Sequence, residues 1–348
     1  MSKGFNNIGN TCYLNSGLQM LVQNKDFCKK VFINRNTSDN LRKMTDFIIE
    51  YYNNENNKSL TPNQIKGIVE RLKPMFRGNR QHDSEEFIIS LIEVLNDDII
   101  LNTVKLQNKI LIDKATSINP NNNVIKLFEE GVKVIELDYK QKKITIEKLL
   151  IAMRHIQSQF VTNEDALKRL PNIDENSLKK LFEFDLQKQL KCEEPNCSNE
   201  RFISSKEVLL TLPVNPNSNS LDDCYNDFKE TENLEIDCEK CNKKQNTSSK
   251  FKIKSWGKNL IICLNRFKND KRNSSKINTD ITIPFKWRHD YQIRGGVIHS
   301  GNIGGGHYIY IGKNNNTWAV YDDSNTHKIT DAQAQGFLNK AYILFYSI

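Results

Sequence analysis

Apolar positions after residue 12 recur at helical spacing. Leu14, Leu18, Leu21 and Val22 share one face and predict a buried helix that opens at Cys12. The residues before it, Gly4-Phe5-Asn6-Asn7-Ile8-Gly9-Asn10-Thr11, are small or carry amides and read as a turn. Met44–Tyr52, with Phe47, Ile48 and Tyr51 in phase, predicts another amphipathic helix, and the asparagine-rich Asn53–Lys58 an exposed loop. Thr61-Pro62 starts a further helix, since proline is tolerated in a first turn. In Gln81-His82-Asp83-Ser84-Glu85-Glu86-Phe87, Asp83 and Glu86 have capping-box spacing, and Phe87, Ile88, Leu91, Ile92 and Leu95 follow on one apolar face. Ile144–Phe160 is helical again, Pro120–Asn123 reads as a loop, and residues 101–185 carry no chemical constellation.

The period changes after Cys197. Phe202–Leu212 and Lys250–Asn265 are strand-like, rich in β-branched and aromatic residues, and the signal continues through Ile281–Pro284 and Tyr291–His299. Ala341–Tyr346 predicts a closing core strand, preceded by a short helix whose capping box is Thr330 with Gln333. Helices first and strands later give an α+β chain without internal repeats.

Composition narrows this picture. At 348 residues the chain can bury a large core, with length enough for roughly two domains. No stretch approaches the roughly 20 apolar residues of a membrane span, so no membrane role is expected. The motif-bearing stretch begins at residue 4, so neither a signal peptide nor a separate N-terminal module is expected. Eight cysteines without a secretory signal argue for thiols or metal ligands in a reducing compartment, cytoplasmic or nuclear. The net charge of +8 is scattered, with small clusters at Lys271–Arg272 and Lys243–Lys244; solvated lysines account for it more simply than a nucleic-acid patch.

Position gives Cys12 a chemistry. Unpaired N–H groups and the helix dipole at a helix start lower a thiol pKa and make it a nucleophile. Asn7, five residues upstream, offers an amide where an oxyanion develops. The competing reading is a buried cysteine acting as a small hydrophobe, and this stretch alone leaves both open. A nucleophilic cysteine needs a base, and there are six histidines. His82 sits beside the helix cap, His155 in a helix, His289 in a charged turn and His327 in a polar loop, all structural settings. His307 differs: Gly301 and Gly304-Gly305-Gly306 precede it, and Tyr308-Ile309-Tyr310-Ile311 alternates after it as a strand. Lys313–Asn316 then turns, and Trp318–Tyr321 returns to Asp322-Asp323, bringing an aspartate beside His307 as the third member such a pair needs. His299, at the end of the preceding strand, is the local competitor and reads as a packing residue. Cys192 and Cys197 (C-x4-C) with Cys238 and Cys241 (C-x2-C) suit a tetrahedral zinc ion that closes a long β excursion. Four protein ligands make that ion structural. Cys28, Cys224 and Cys263 read as packing residues.

These pieces, in this order, resemble the ubiquitin-specific protease family of papain-like cysteine proteases. Gly4 to Ser16 matches its cysteine box almost position for position. Gln81–Phe87 is similar to its glutamine–aspartate–glutamate–phenylalanine box, and Leu260–Phe267 to its core strand, with Asn265 where lysine is commoner. Gly305-Gly306-His307-Tyr308 and Trp318–Ser324 resemble its histidine box. The resemblance covers roughly residues 4–100 and 186–348. It implies one catalytic domain over 1–348: a thumb (4–100), a variable helical insertion (101–185), zinc-tipped fingers (186–255) and a palm (256–348). It also implies Cys12 as nucleophile, His307 as base, Asp322 as orienting carboxylate, Asn7 as oxyanion donor and Asp323 as its assistant. Gln81, Asp83 and Glu86 fall where the family meets the basic tail of ubiquitin, and Gly305, Gly306 and Tyr308 would shape a channel for a Gly-Gly end. The expected activity is hydrolysis of the bond after that end, on ubiquitin or ubiquitinated proteins. A protease for another ubiquitin-like modifier, a catalytically silent ubiquitin-binding module and a zinc-dependent nucleic-acid binder are the alternatives.

Overall fold

The helix starting at Cys12 is apolar enough to be enclosed on all sides. In a computed structural model, which describes residues 3–53, 58–119, 123–161, 167–270, 273–302, 304–314 and 316–348, α1 (Cys12–Gln23) is buried from Cys12 to Val22. Two of its polar side chains reach neighbouring helices: the Gln19 amide donates to the Tyr51 hydroxyl (2.7 Å), and Ser16 meets Ser84 (3.2 Å). Against it pack α2 (Lys25–Ile33) and α5 (Ser84–Ile118), with α3 (Asp39–Asn53) on α2 and α5, and α4 (Asn63–Leu72) on α3 and α5. Asp83 caps α5 by accepting the Glu85 N–H (2.6 Å), but Glu86 does not return the bond, so half of the expected box forms.

Helix α5 is 35 residues long and runs straight through the expected boundary between residues 100 and 101. Its second half joins α6 (Asn123–Lys140), α7 (Ile146–Phe160) and the short α8 (Ile173–Asn176) around a separate core of Ile100, Val104, Leu149, Met153 and Ile173. Buried Asn96 ties the chain back, accepting from Ser177 Oγ, Leu178 N and Lys179 N.

Strands follow: β1 (Phe184–Cys192), β2 (Glu200–Glu207), β3 (Leu210–Pro213), then helix α9 (Leu221–Lys229), β4 (Glu232–Cys238) and β5 (Lys243–Ser255). Next come β6 (Asn259–Asn265), β7 (Phe267–Asp270), β8 (Asn273–Lys276) and β9 (Lys286–Trp287). The chain ends with β10 (Tyr291–Asn302), β11 (Gly305–Asn314), β12 (Thr317–Asp322), β13 (Asn325–Ile329), helix α10 (Asp331–Leu338) and β14 (Ala341–Ser347). One sheet runs β2-β1-β5-β4; the larger runs β13-β12-β11-β10-β14-β6-β3, with β9 on β10; β7 and β8 pair alone. Among the described residues only the β3–β6 pair in the large sheet is parallel.

Several expectations change. Phe202–Leu212 and Lys250–Asn265 each divide into two strands that join different sheets, so β3 and α9 leave the expected fingers for the large sheet. Thr282 makes one isolated bridge in place of a strand, and His327 lies on β13 rather than in a loop. The capping box at Thr330 and Gln333 forms as expected. Residues 54–57, 120–122, 271–272 and 315, within the expected loops, basic cluster and turn, lie outside the described residues.

The large sheet is apolar on both faces. Ile261, Cys263, Ala319, Tyr321, Ile343 and Phe345 join the core under α1, while Leu260, Ile262, Trp318, Val320, Leu344 and Tyr346 join the core on the other side. Helix α1 packs across β10, β11 and β12 on the first face, which delivers its N-terminus to the strand carrying His307.

Candidate active site

Cys12 is the first residue of α1, and Asn7 shapes the loop before it. Asn7 Oδ1 accepts the N–H groups of Gly9 and Thr11 (both 3.1 Å), while Gly9 and Asn10 take positive φ (105° and 51°) to complete the turn. The thiol differs from its sequence expectation. Burial raises its pKa, with a further push from Asp323, and these outweigh the backbone amides of Tyr308, Tyr13 and Cys12 that favour the thiolate.

His307 lies on β11 and Asp322 at the end of β12, and His307 Nε2 is 2.6 Å from Asp322 Oδ1. Register explains the choice of aspartate. The β11–β12 ladder ends at Tyr310↔Tyr321, and Asp323, one residue past the strand, turns away with φ 51°. Its carboxylate accepts from Asn15 Nδ2 (2.7 Å) and Asn7 Nδ2 (2.9 Å), and its carbonyl accepts the Phe5 N–H (2.8 Å). Asp322 therefore meets the imidazole, and Asp323 fixes the amide of Asn7. Among the described residues no hydrogen bond joins the Cys12 thiol to the imidazole; what meets the thiol from β11 is the backbone of Tyr308, the next residue.

The segment at residues 81–86 lies against the same strand. The Gln81 side-chain amide pairs with Gly306 twice, accepting from its N–H (3.0 Å) and donating to its carbonyl (2.5 Å). Asp83 Oδ2 accepts the hydroxyls of Tyr342 (3.0 Å) and Tyr308 (3.4 Å), and Glu85 also meets Tyr342 (3.2 Å). Burial raises the Asp83 and Glu86 pKa values, and for Glu86 the charges of Asp83 and Glu85 add to the rise. Tyr308 stacks on His299 at 4.5 Å; burial, reinforced by Lys276, pushes that imidazole down to about 4, which leaves it a neutral packing partner near neutral pH. Asn15, Glu85 and Tyr342 escaped sequence reasoning. Asn15 had a signal, a polar residue among the apolar positions of α1; Tyr342, inside an apolar strand, had none.

The four cysteines meet at the far end of the smaller sheet, where the β1–β2 and β4–β5 turns lie side by side. Their sulfurs all lie within 4.8 Å of one another, with Cys197–Cys238 at 3.7 Å and Cys192–Cys241 at 4.0 Å. Four thiolates about 2.3 Å from a tetrahedral zinc are separated by roughly 3.8 Å, so the set fits that ion. The Cys241 backbone amide and the Asn199 side chain draw Cys238 down to about 6, whereas Cys241, crowded first by Cys197, is pushed up to about 12. The four cysteines are placed so that they could hold a metal ion.

Comparison with known proteins agrees with the fold. The chain matches ubiquitin carboxyl-terminal hydrolase 21 of Homo sapiens at 23% identity over 99% of its own length and 61% of that protein. It matches ubiquitin carboxyl-terminal hydrolase 5 of Saccharomyces cerevisiae at 26% over 99% and 44%, and ubiquitin carboxyl-terminal hydrolase 4 of Vanderwaltozyma polyspora at 23% over 99% and 40%. The chain thus spans between 40% and 61% of the length of these relatives. Among solved structures it superposes on the SAGA DUB module Ubp8/Sgf11/Sus1/Sgf73 bound to monoubiquitin with a TM-score of 0.70 at 19% identity, covering 99% of this chain and 69% of that one. Described residues include no helix long and apolar enough to cross a membrane. The family model described as ubiquitin carboxyl-terminal hydrolase matches residues 3–346, and the chain belongs to that family.

Proposed function

We propose that this chain is a cysteine-type deubiquitinase that hydrolyses the isopeptide or peptide bond after the C-terminal Gly-Gly of ubiquitin. The observation that carries the reading is the 2.6 Å contact of His307 Nε2 with Asp322, on a strand packed against the helix that begins at Cys12. With Nε2 engaged, Nδ1 is the nitrogen left to take the thiol proton. The Cys12 thiolate adds to the terminal glycine carbonyl. Asn7 Nδ2, with one hydrogen given to Asp323, offers its second to the oxyanion. His307 returns the proton to the departing amine, leaving a thioester. Water, deprotonated by His307, adds to the thioester and releases the Cys12 thiol and the ubiquitin carboxylate.

The crowded carboxylates of Asp83, Glu85 and Glu86 favour a basic peptide segment just upstream of the Gly-Gly end, and Gly305, Gly306 and Tyr308 would border its path. Cys192, Cys197, Cys238 and Cys241 would hold a structural zinc, which supplies rigidity at the sheet tip and no chemistry at Cys12. None of the eight cysteines is in a disulfide, and the setting we propose for the chain is cytoplasmic or nuclear. Replacing Cys12→Ala should abolish release of a fluorophore from the ubiquitin C-terminus, and Asn7→Ala should slow it about a hundred- to a thousandfold in kcat. Turnover by Cys12→Ala at the wild-type rate would assign the nucleophile elsewhere.

A further inference from the structure

Helix α6 carries two apolar faces. One serves the fold: Ile125 and Phe128 are buried, Phe128 stacks on Phe160 of α7 with ring centroids 4.3 Å apart, and Val132, Ile135 and Tyr139 pack against the second core. The other points to solvent. Leu127 is 67% exposed, Val134 59% and Leu137 52%. At 3.6 residues per turn these three lie within about 80° of one another, across the helix from the buried face. They are spaced i, i+7 and i+10, with Glu130 at i+3, which is the seam of a two-helix coil. Single exposed apolar residues need no explanation, but a stripe in register over about three turns marks a surface that another chain covers.

The charges beside the stripe decide what covers it. Lys126, Lys133 and Lys140 recur every seven residues along one flank, all exposed, and among the described residues none of them makes an ion pair. The other flank holds Gly131 and Asp138, and Asp138 is already paired with Lys143 (3.3 Å). A second copy of this chain fits such a surface badly. Laid antiparallel, it sets lysine flank on lysine flank; laid parallel, it offers the lysines a glycine and an engaged carboxylate. We propose that this face of α6 docks an amphipathic helix of a protein partner, with an apolar seam and acidic flanks. Its seam covers Leu127, Val134 and Leu137, and its carboxylates meet Lys126, Lys133 and Lys140. Glu130 fixes the register by taking a basic side chain of the partner inside the seam. This surface is separate from the Cys12 site and does not depend on the reading of that site.

The probe is a synthetic helical peptide of about four heptads, with a leucine seam, one seam lysine to meet Glu130, and glutamate on both flanks. Its control carries lysine on both flanks. Self-repulsion keeps each peptide unpaired on its own. The full chain should bind the acidic peptide one to one, about tenfold tighter than the control, as expected when three surface charge pairs change from opposed to alike. Added salt should narrow that gap. Val134→Asp should weaken binding about tenfold or more by placing a charge in the seam. Together, Lys126→Glu, Lys133→Glu and Lys140→Glu should reverse the preference toward the lysine-flanked peptide. Thermal melting of each variant reports its folding, and if Val134→Asp melts early the charge reversal decides alone. Failure of the wild type to bind the acidic peptide, equal affinity for both peptides, or a charge reversal that leaves the preference unchanged would overturn the proposal. So would a wild-type dimer in sedimentation that Val134→Asp dissolves, which would make a second copy the occupant.

Discussion

Asp323 shows how single contacts build this site. Its three acceptor atoms gather Phe5, Asn7 and Asn15, so one aspartate from late in the chain fixes both the turn before Cys12 and the helix after it. Gly4 is required for this approach: a Cβ there would lie 2.2 Å from the Asp323 carbonyl oxygen. Gly4→Ala is expected to cost about 1–3 kcal/mol of stability by forcing the segments apart, and to lower kcat in parallel by displacing Asn7; denaturation curves and steady-state rates check both. The Cys12 pKa gives a second residue-scale prediction. Because the thiolate is the reactive form, a raised pKa means slow alkylation of the free protein near neutral pH, increasing with pH through an inflection above the ordinary thiol value of 9.0. Iodoacetamide labelling with peptide mapping reads this directly, and an inflection below 7 would mean the thiol is already ionised beside His307.

At this scale the sequence was partly legible. The residue types at 12, 307 and 322–323 were visible because nucleophile, base and carboxylate leave a chemical pattern. The sign of the Cys12 shift was not, because it depends on burial beneath β11, which a helix-start argument omits. Counting across the hairpin reached two adjacent aspartates, and only the backbone turn at Asp323 separates their roles.

Among the elements, α5 is the clearest case of a boundary that apolar spacing misplaces. Its first turns show a single apolar face toward the main core, and its later turns face a second core, so the phase of the pattern shifts while the helix continues. Strand signals merged for a related reason. Val208-Leu209 continues an apolar stretch and Trp256-Gly257 is a short break between two strand-like runs, yet at each the chain crosses between sheets. The second core also contains a testable charge. Burial pushes Asp97 up to about 6 despite the hydrogen bond from Tyr139 (3.1 Å). Its folded pKa lies above the ordinary 3.8, so the folded state binds more protons between those values, and stability from this group falls as pH rises from about 4 to 6. Asp97→Asn keeps an acceptor for Tyr139 and should add about 1–3 kcal/mol at pH 7.5, an advantage that vanishes toward pH 4. Urea denaturation of both proteins at the two pH values measures it.

Over the whole molecule, early and late segments converge twice. The eight-stranded sheet presents one apolar face to α1, which sets Cys12 against the strand of His307, and the β1–β5 pairing brings two distant cysteine pairs together. The paired spacing made the four-cysteine cluster legible, but the 40 residues between Cys197 and Cys238 hid that β3 and α9 depart to the other sheet and return. Structural zinc sites contribute on the order of 10 kcal/mol of apparent binding energy to folding. Chelation, or Cys241→Ser, should therefore expose the amides of the β1–β2 and β4–β5 turns to hydrogen exchange and weaken ubiquitin binding, while amides of α1 and β14 stay protected.

We propose that a thiol from the first helix and an imidazole from the late sheet act as one catalytic unit on ubiquitin. Its most direct measurement is reaction with ubiquitin carrying a C-terminal vinyl sulfone, followed by mapping of the modified peptide. A single adduct on Cys12 is expected, absent in Cys12→Ala and strongly slowed in His307→Ala. An adduct on another cysteine, or labelling of His307→Ala at the wild-type rate, would contradict it.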